Sequence, residues 1–549
     1  MKIFALACFE SARFRRHALG LAAVAASMTL LAADGDGQTR TSVHPYLEVQ
    51  QVLTADFNGG DVLTYTGIGG GIDATVETQR VTATVAYDYQ RRIAWSGDSA
   101  DDEVHTGLAA VHIDAVPELL SLDAGAIATR THADIRRPVP GVRTSRGDET
   151  AEVYSAYAGP TLNTHAGPVA IGAAYRLGYV HVDDHGQAPA AAGTPRIDRY
   201  SSATVHNATV SAGMEPGELP IGWTVGAGWV HEDMNRFDSS FDAKYARGDV
   251  VLPVGPSLAF TAGAGYEKGK SSQQDLLRDS AGRPVVTPTG QVLADPSKPR
   301  LLTYDESGLI WDAGVIWRPS PRTELQARVG HRYGGTTFTG SLEHRINESY
   351  ALSAVVYDNV SSFGRLMTAD LAGVPSRFRT PRGGIGGMNG LGACAFGTQA
   401  GKGACFDDAL QSIDNFNFRN RGAEILLSGG RGPWSYGIGA GYANRRYFAP
   451  PSQDFALHGV TDQSFDLNAN LSRRLTRSSG LDFDAYAAWY DSGLAGESNS
   501  FSSGITGTYY RSIYRENLQA TLAAGVYTTH GGDYDNTFGS ILVGLRYSF

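Results

Sequence analysis

The sequence predicts an all-β chain folded as one transmembrane antiparallel up-and-down β-barrel of about 22 strands, within a range of 18–22. Three observations point there. Apolar residues recur at every second position in long segments, most of them 11 to 16 residues. The connections between these segments alternate between short and long. After residue 33, no apolar run approaches the roughly 20 residues that a membrane-crossing helix needs. Period two places alternate side chains on opposite faces of a strand, and strands of soluble proteins run nearer five or six residues. Only helices and closed barrels pair every backbone polar group in lipid, so long strands without such a helix must close on themselves.

Residues 1–33 read as an export leader. Arg13, Arg15 and Arg16 form a basic start, Ala18 to Ala33 an uncharged apolar run, and Asp34-Gly35-Asp36-Gly37 breaks it. Cleavage is expected after Ala33, leaving residues 34–549 as a single domain. Cys8 precedes the apolar run, the wrong place for a lipid anchor. About ten residues then precede the first strand, which leaves no room for the amino-terminal plug that receptors for iron chelates carry. Glycine is abundant, 67 of 549 residues, beside 26 Tyr and 7 Trp, a mix that suits a large barrel and neither a disulfide scaffold nor a helical bundle. The net charge of -10 becomes more negative without the leader, which excludes a basic nucleic-acid-binding protein.

The strands follow in order. Val81, Ala83, Val85, Tyr87, Tyr89, Ile93 and Trp95 share a face against Thr82, Thr84, Asp88, Gln90 and Arg92. Val169 to Tyr179 alternates against Gly172, Ala174 and Arg176. Ile221, Trp223, Val225, Ala227 and Trp229 oppose a row of Gly and Thr, and Leu309 to Trp317 opposes Asp312 and Gly314. Phe465, Leu467, Ala469 and Leu471 oppose Asp466, Asn468, Asn470 and Ser472. A helical template fits none of these as well. Short connections are expected at Glu77 to Gln79, Pro117-Glu118, Asn163 to Gly167, Pro253 to Pro256, Pro319 to Arg322, Asn347-Glu348, Gly429 to Pro433, Thr476 to Ser479 and Arg515-Glu516. Longer ones fall at Ile135 to Glu149, Asp183 to Arg199, Ser271 to about residue 301, Ser361 to Phe416 and Ala449 to Val460. Trp223, Trp317 and Trp434 sit beside the short turns, with Trp95 and Trp489 at the opposite ends, as two aromatic girdles would place them.

The last strand fixes direction. Ile541, Val543, Leu545, Tyr547 and Phe549 form its apolar face, and Ser540, Gly544, Arg546 and Ser548 lie on the other. With an aromatic terminus and a second aromatic two residues earlier, it resembles the closing strand of outer-membrane barrels. That resemblance implies an outer-membrane location, short turns in the periplasm, long loops facing lipopolysaccharide, and recognition of Val543, Leu545, Tyr547 and Phe549 by the barrel-assembly machinery. Farther in, Trp317-Arg318-Pro319-Ser320-Pro321-Arg322-Thr323, Gly330-His331-Arg332-Tyr333-Gly334-Gly335 and Gly340-Ser341-Leu342 resemble the β-barrel porin 2 group and outer-membrane proteins of exopolysaccharide systems. This implies a porin-like channel for hydrophilic solutes or a secreted polysaccharide, with polysaccharide-export components as partners, and transfers no functional residues. A non-conducting structural or surface-interaction barrel is the competing class.

Cys394 and Cys405 lie in the longest loop with ten residues between them and no His beside them. In an oxidising compartment a disulfide is expected there, and no metal or cofactor. The loop 361–416 either folds inward to narrow a wide lumen or stands outside, and direction counting assigns it, with Cys394 and Cys405, to the extracellular side, as it does 271–301. Expected lumen charges are Arg92, Arg176, Arg328, Arg332, Arg345, Arg474 and Arg546, against Asp88, Asp312, Glu324, Glu343, Glu424, Asp466, Asp482 and Asp484. Arg328 and Arg332 either guide an anionic solute or salt-bridge across the lumen. Catalytic motifs are missing, including G-x-S-x-G, H-E-x-x-H and C-x-x-C, so an enzyme is not expected. His181, Asp183, His231 and Asp233 read as polar rim residues. Replacing Phe549 with a polar residue is expected to lower membrane assembly, read as the heat-modifiable band in outer-membrane fractions, far more than it lowers the stability of barrel already folded.

Overall fold

The computed structural model describes residues 40–60, 62–96, 102–132, 150–184, 200–287, 291–379, 394–410, 413–450, 458–494, 498–514, 517–532 and 534–549. The leader and its cleavage point lie outside them. Twenty-two strands form one antiparallel sheet. They are β1 (Arg40–Asp56), β2 (Val62–Glu77), β3 (Val81–Ser96), β4 (Asp102–Val116), β5 (Leu120–His132), β6 (Thr150–Ala166), β7 (Val169–Asp184) and β8 (Ser202–Met214). Next come β9 (Gly222–Met234), β10 (Ser239–Pro253), β11 (Leu258–Gln273), β12 (Leu301–Ser320), β13 (Thr323–Arg332), β14 (Gly335–Arg345) and β15 (Tyr350–Ser361). The wall ends with β16 (Asn417–Arg431), β17 (Trp434–Phe448), β18 (Thr461–Arg474), β19 (Ser479–Asp491), β20 (Ser500–Tyr514), β21 (Leu518–Gly531) and β22 (Tyr534–Ser548). Each pairs with the next, and Tyr46–Asp56 of β1 pairs with Phe538–Ser548 of β22, so the ring closes and no edge strand is left.

The period-two pattern decides which face looks where. On β22, Ile541, Val543, Leu545 and Tyr547 point outward and are exposed, whereas Ser540 and Leu542 point inward and are buried. On β12 the outward residues are Leu309, Trp311 and Trp317, and Asp312 faces the lumen, where it meets Arg247 and Arg328. Trp95, Trp317 and Trp434 all lie on the outer surface, with Trp317 and Trp434 beside short turns and Trp95 at the other end. Such a belt of exposed apolar side chains is what a hydrocarbon layer covers. Among the described residues no helix is long and apolar enough to cross a membrane.

The strands run further than their sequence pattern suggests. Residues Asn163 to Ala166 belong to β6 and Gly429 to Arg431 to β16, shrinking those turns to two residues each. The alternation of loop lengths is also imperfect, because the β9–β10 and β13–β14 connections at the long-loop end are as short as turns at the other. The segment expected to start at Ser271 leaves the wall only after Gln273. It then folds over that end with Leu276 and Val292 packed on Phe237, and Arg300 binds Asp238 at 2.5 Å. The main correction concerns the segment 361–416. Direction counting puts the Cys394–Cys405 loop outside, but its described residues fold back into the lumen.

One seam of the wall is incomplete. The ladder between β14 and β15 is confined to Gly340–Arg345 against Ala351–Val356, so β14 and β15 separate toward the long-loop end. The upper half of β12, above Trp311, also has no partner on its β13 side, because β13 is short and pairs along its own length.

Leu467 lies outward at mid-strand on β18, and Ser211 faces the lumen from β8. Leu467→Arg is expected to cost about 2–4 kcal/mol in urea unfolding of the reconstituted barrel, and Ser211→Arg close to nothing.

Candidate functional site

The segment returning into the lumen begins with a helix, α1 (Phe363–Gly373). Ser362 is extended and caps it, its Oγ accepting from the Arg365 backbone N–H at 3.2 Å. Phe363, Met367 and Leu371 recur every four residues and so share one stripe. That stripe is fully buried against inward-facing Val153, Val180 and Tyr200. Each such side chain contributes about 1.5–3 kcal/mol on leaving water. The helix stops at Gly373 because Val374 precedes Pro375, which disfavours helical backbone at the residue before it.

A buried ionic contact fastens the top of this helix. The Glu232 carboxylate, wholly buried on β9, accepts from Ser362 Oγ at 2.7 and 2.8 Å and from Tyr200 Oη at 3.3 Å. Arg365 Nε lies 3.5 Å from it. The same guanidinium donates to Asn417 Oδ1 at 2.7 Å and lies 3.6 Å over the Phe241 ring. Burial pushes the Arg365 guanidinium below its usual range, and the Glu232 carboxylate is the first of the groups that oppose this.

Below the helix, Cys394–Phe396 pairs with Gly403–Cys405 as a short antiparallel hairpin, with Cys394 opposite Cys405 and their sulfurs bonded at 2.00 Å. A cross-link over so short a loop stabilises it by roughly 2–3 kcal/mol. The hairpin leans on the lumen face of β17, where Gly437, Gly439 and Gly441 alternate. A Cβ on Gly437 would sit 2.4 Å from the Phe396 ring, and one on Gly439 would sit 2.6 Å from Cys394 Sγ. Only glycine lets the disulfide approach the wall this closely. Asp407 Oδ2 is 3.8 Å from Cys394 Sγ, but the disulfide leaves no thiolate for a metal.

A second short helix, α2 (Asp407–Leu410), ties the segment to five strands of the wall. Asp408 accepts from Arg445 Nη2 at 2.5 Å, Asn420 Nδ2 at 2.8 Å and Tyr357 Oη at 3.0 Å. Asp407 accepts from Asn468 Nδ2 at 2.7 Å, and Thr131 Oγ1 donates to the Leu410 carbonyl at 3.0 Å. Burial first, and then the Asp408 charge, holds the Asp370 carboxyl well above the usual carboxylate range. Burial and the nearby Asp466 do the same to Asp407. At the short-turn end, Thr84 Oγ1 donates to the Ser376 carbonyl at 2.7 Å and Arg379 Nη2 to the Gly429 carbonyl at 3.1 Å, while Arg377 pairs with Glu77. The segment therefore runs through the lumen from one end to the other. It is a plug made from a loop.

The lumen charges read from the sequence fall into distinct settings. Arg328 lies 2.8 Å from Asp249 and 2.9 Å from Asp312, and Arg247 lies 2.6 and 2.7 Å from the same two carboxylates, a closed quartet on the wall. Arg332 pairs with Glu267. Arg546 binds Glu48 at 2.9 Å and lies 3.8 Å over Tyr46, whose hydroxyl donates to Asp88 at 3.1 Å. Arg92 is buried over the Tyr65 ring, and Asp484 accepts from Asn470 at 2.8 Å. Asp466 lies beside the plug, next to Gly441. Arg176 and Arg474 are exposed to the lumen space, the latter near the short-turn end. Glu324 pairs with Arg318, and Glu343 lies 3.9 Å from Lys402 of the plug. His231 sits between Asp233 and Asp242 at 3.1 and 3.5 Å and stacks on Trp229. Its side chain points to the outer surface, and with His206 it belongs to the aromatic belt.

The sequence reading missed α1, the Glu232–Arg365 contact and the glycine row. Two of these leave a local trace: the four-residue spacing of Phe363, Met367 and Leu371, and the run Gly437-x-Gly-x-Gly441 on one strand face. Gly439→Val is expected to displace the hairpin, since overpacking costs about 1–3 kcal/mol. Limited proteolysis of the folded barrel should then cut within 394–405. Gly172→Ala, whose Cβ would meet nothing nearer than 3.4 Å, should leave the wild-type digestion pattern.

No family model matches the chain, the porin 2 group included, and no curated protein sequence matches it. Solved structures similar in outline include the FrpB iron transporter from Neisseria meningitidis, at 10% identity and TM-score 0.45 over 92% of this chain and 82% of that one. The ferric-catecholate import receptor Fiu from E. coli K12 is similar at 11% identity and TM-score 0.44, covering 92% and 81%. The siderophore receptor PiuA from Acinetobacter baumannii follows at 9% and 0.41, covering 92% and 82%. Likeness at this level transfers neither ligand nor mechanism.

Proposed function

We propose that this chain is an outer-membrane transport barrel whose lumen is shut at rest by its own inward-folded loop and opens to pass hydrophilic solutes. In this reading the short turns lie in the periplasm, and the assembly machinery inserts the barrel through its closing strand. The observation that carries the proposal is the plug itself. A wall of 22 strands encloses a wide lumen, and the chain fills it with a segment held to the wall by apolar packing, hydrogen bonds and ion pairs, all of which can be released without breaking the wall. The wall keeps paired charges at the lumen surface, as in the Arg247–Asp249–Asp312–Arg328 quartet, which suits a water-filled path more than an apolar one. A polysaccharide as the solute rests on the sequence resemblance alone.

A second reading, a closed barrel that acts through its surface loops, is favoured by the complete burial of Phe363, Met367 and Leu371. Planar-bilayer conductance separates the two. The wild-type barrel is expected to show small or rare openings, and a variant lacking residues 363–416 a steady conductance larger by about tenfold or more. If neither protein conducts, the transport reading fails.

A further inference from the structure

The incomplete seam between β14 and β15 lies where the plug joins the wall. If the ladder continued in register beyond Gly340 and Val356, Thr336 would face Val360 and Gly335 would face Ser361. No such ladder forms, and the backbone of β14 turns away from its neighbour. On the far side of the same hairpin, β12 pairs with β13 from Trp311 toward the short turn, and the rest of β12 pairs only with β11. The β13–β14 hairpin is thus held to β12 up to His331, beside its tip, but to β15 only below Gly340, so it is its β14 side that is loose above.

Side chains span the gap in place of backbone bonds. Arg419 and Arg421, outward-facing on β16, both donate to the Thr336 carbonyl at 3.1 Å, and Arg419 also reaches the Tyr333 carbonyl at 3.3 Å. Asp358 of β15 lies between the strands and binds both guanidiniums, at 2.8 and 2.9 Å to Arg419 and 3.1 Å to Arg421. On the lumen side of the gap, Asn359 Oδ1 is buried with no hydrogen-bond partner. An unpaired buried acceptor of this kind is unfavourable, so the seam is held short of full satisfaction.

The two strands that supply this clamp are the two that carry the plug. β15 runs into Ser362 and α1, and the chain re-enters the wall at Asn417 on β16. Tyr357, one residue before Asp358, donates to Asp408 of α2. Withdrawal of the plug would therefore release β15 on its inner face at the point where its β14 side is spanned by Arg419, Arg421 and Asp358 in place of a ladder, while its other side stays paired with β16.

The geometry points to a lateral portal. We infer that the β14–β15 seam opens when the plug moves and admits single-chain amphiphiles with an anionic head between the lumen and the outer leaflet. The chemistry of the mouth selects that class. Two guanidiniums share one carboxylate on the outer face, leaving a net positive charge at the headgroup level, and below them Phe338 (60% exposed) and Val356 (44%) offer an apolar track to a chain lying in the lipid. A neutral sugar would find no use for that track. A free phosphate would not need it.

The inference extends the transport reading but is tested apart from it. Proteoliposomes loaded with albumin would be given fluorescent lysophosphatidylglycerol, or lysophosphatidylcholine as the zwitterionic control, and trapped fluorescence followed. The wild-type barrel should collect the anionic probe in preference to the zwitterionic one. Asp358→Asn, which removes the charge behind all three guanidinium contacts, should raise the rate about tenfold or more, tenfold being the factor for one lost charge-assisted hydrogen bond. Thr336→Cys with Val360→Cys, bridged by a short bismaleimide, should return uptake to the protein-free level. The same bridge across the laddered, outward-facing pair Val210→Cys and Ala227→Cys of β8 and β9, away from the seam, should leave uptake unchanged. Uptake that survives the Thr336–Val360 bridge, or that shows no preference for the anionic probe, overturns the portal. So does the absence of uptake in both the wild type and Asp358→Asn. Conductance of the variant lacking residues 363–416, measured on the same preparations, reports on the hydrophilic path separately.

Discussion

Everything in this molecule follows from the cost of an unpaired backbone group in hydrocarbon. An N–H or C=O without a partner costs several kcal/mol there, so a chain of long strands cannot stop at an open sheet. The pairing of β1 with β22 is what removes the last two edges. Closure at this strand number then creates a second problem, a lumen too wide for side chains to fill. The wall alone meets the first demand. It cannot meet the second, and a segment from within one hairpin does.

The lumen face is accordingly not uniform. Where α1 lies against β5 to β8, the buried inward positions are mostly apolar, among them Ile127, Val153 and Val180, with Leu108 of β4 in the same cluster. Where the disulfide hairpin touches β17, they are glycine. Around β10 to β13 they are Arg and Asp or Glu in closed arrangements. Three kinds of inner surface correspond to three kinds of neighbour: a packed helix, a closely approaching backbone, and water.

This division also explains what could be read from the sequence. Strand identity, length, direction and closure rest on period two and on turn chemistry, both local, and residues such as Ile541 to Tyr547 or Leu309 to Trp317 display them openly. Inward charges such as Asp312, Arg328 and Arg546 were legible for the same reason. The plug was not. Its wall contacts erase the alternation that identifies a membrane strand, since Leu108, Ala109 and Ala110 are apolar on both faces. Its partners are also far apart in sequence, as with Thr131 and Leu410 or Glu232 and Arg365. Direction counting placed the start of the segment correctly at one rim, but nothing local says whether a long loop rises from that rim or descends from it. The glycine row on β17 held that information, since glycine at successive inward positions means that another backbone comes close.

The plug leaves the wall at Ser361 and returns at Asn417, and these positions are neighbours on adjacent strands, with Ser361 paired to Phe418. In the ancestry of such a protein, that makes the plug an exchangeable cassette. A shorter or longer insertion between β15 and β16 would leave every ladder of the ring in place, and loop closure penalises added length only weakly. The glycines of β17 and the apolar patch facing α1 are then the parts of the described wall fitted to this particular cassette's backbone and helix, and a different insertion would call for changes there and not in the ladders.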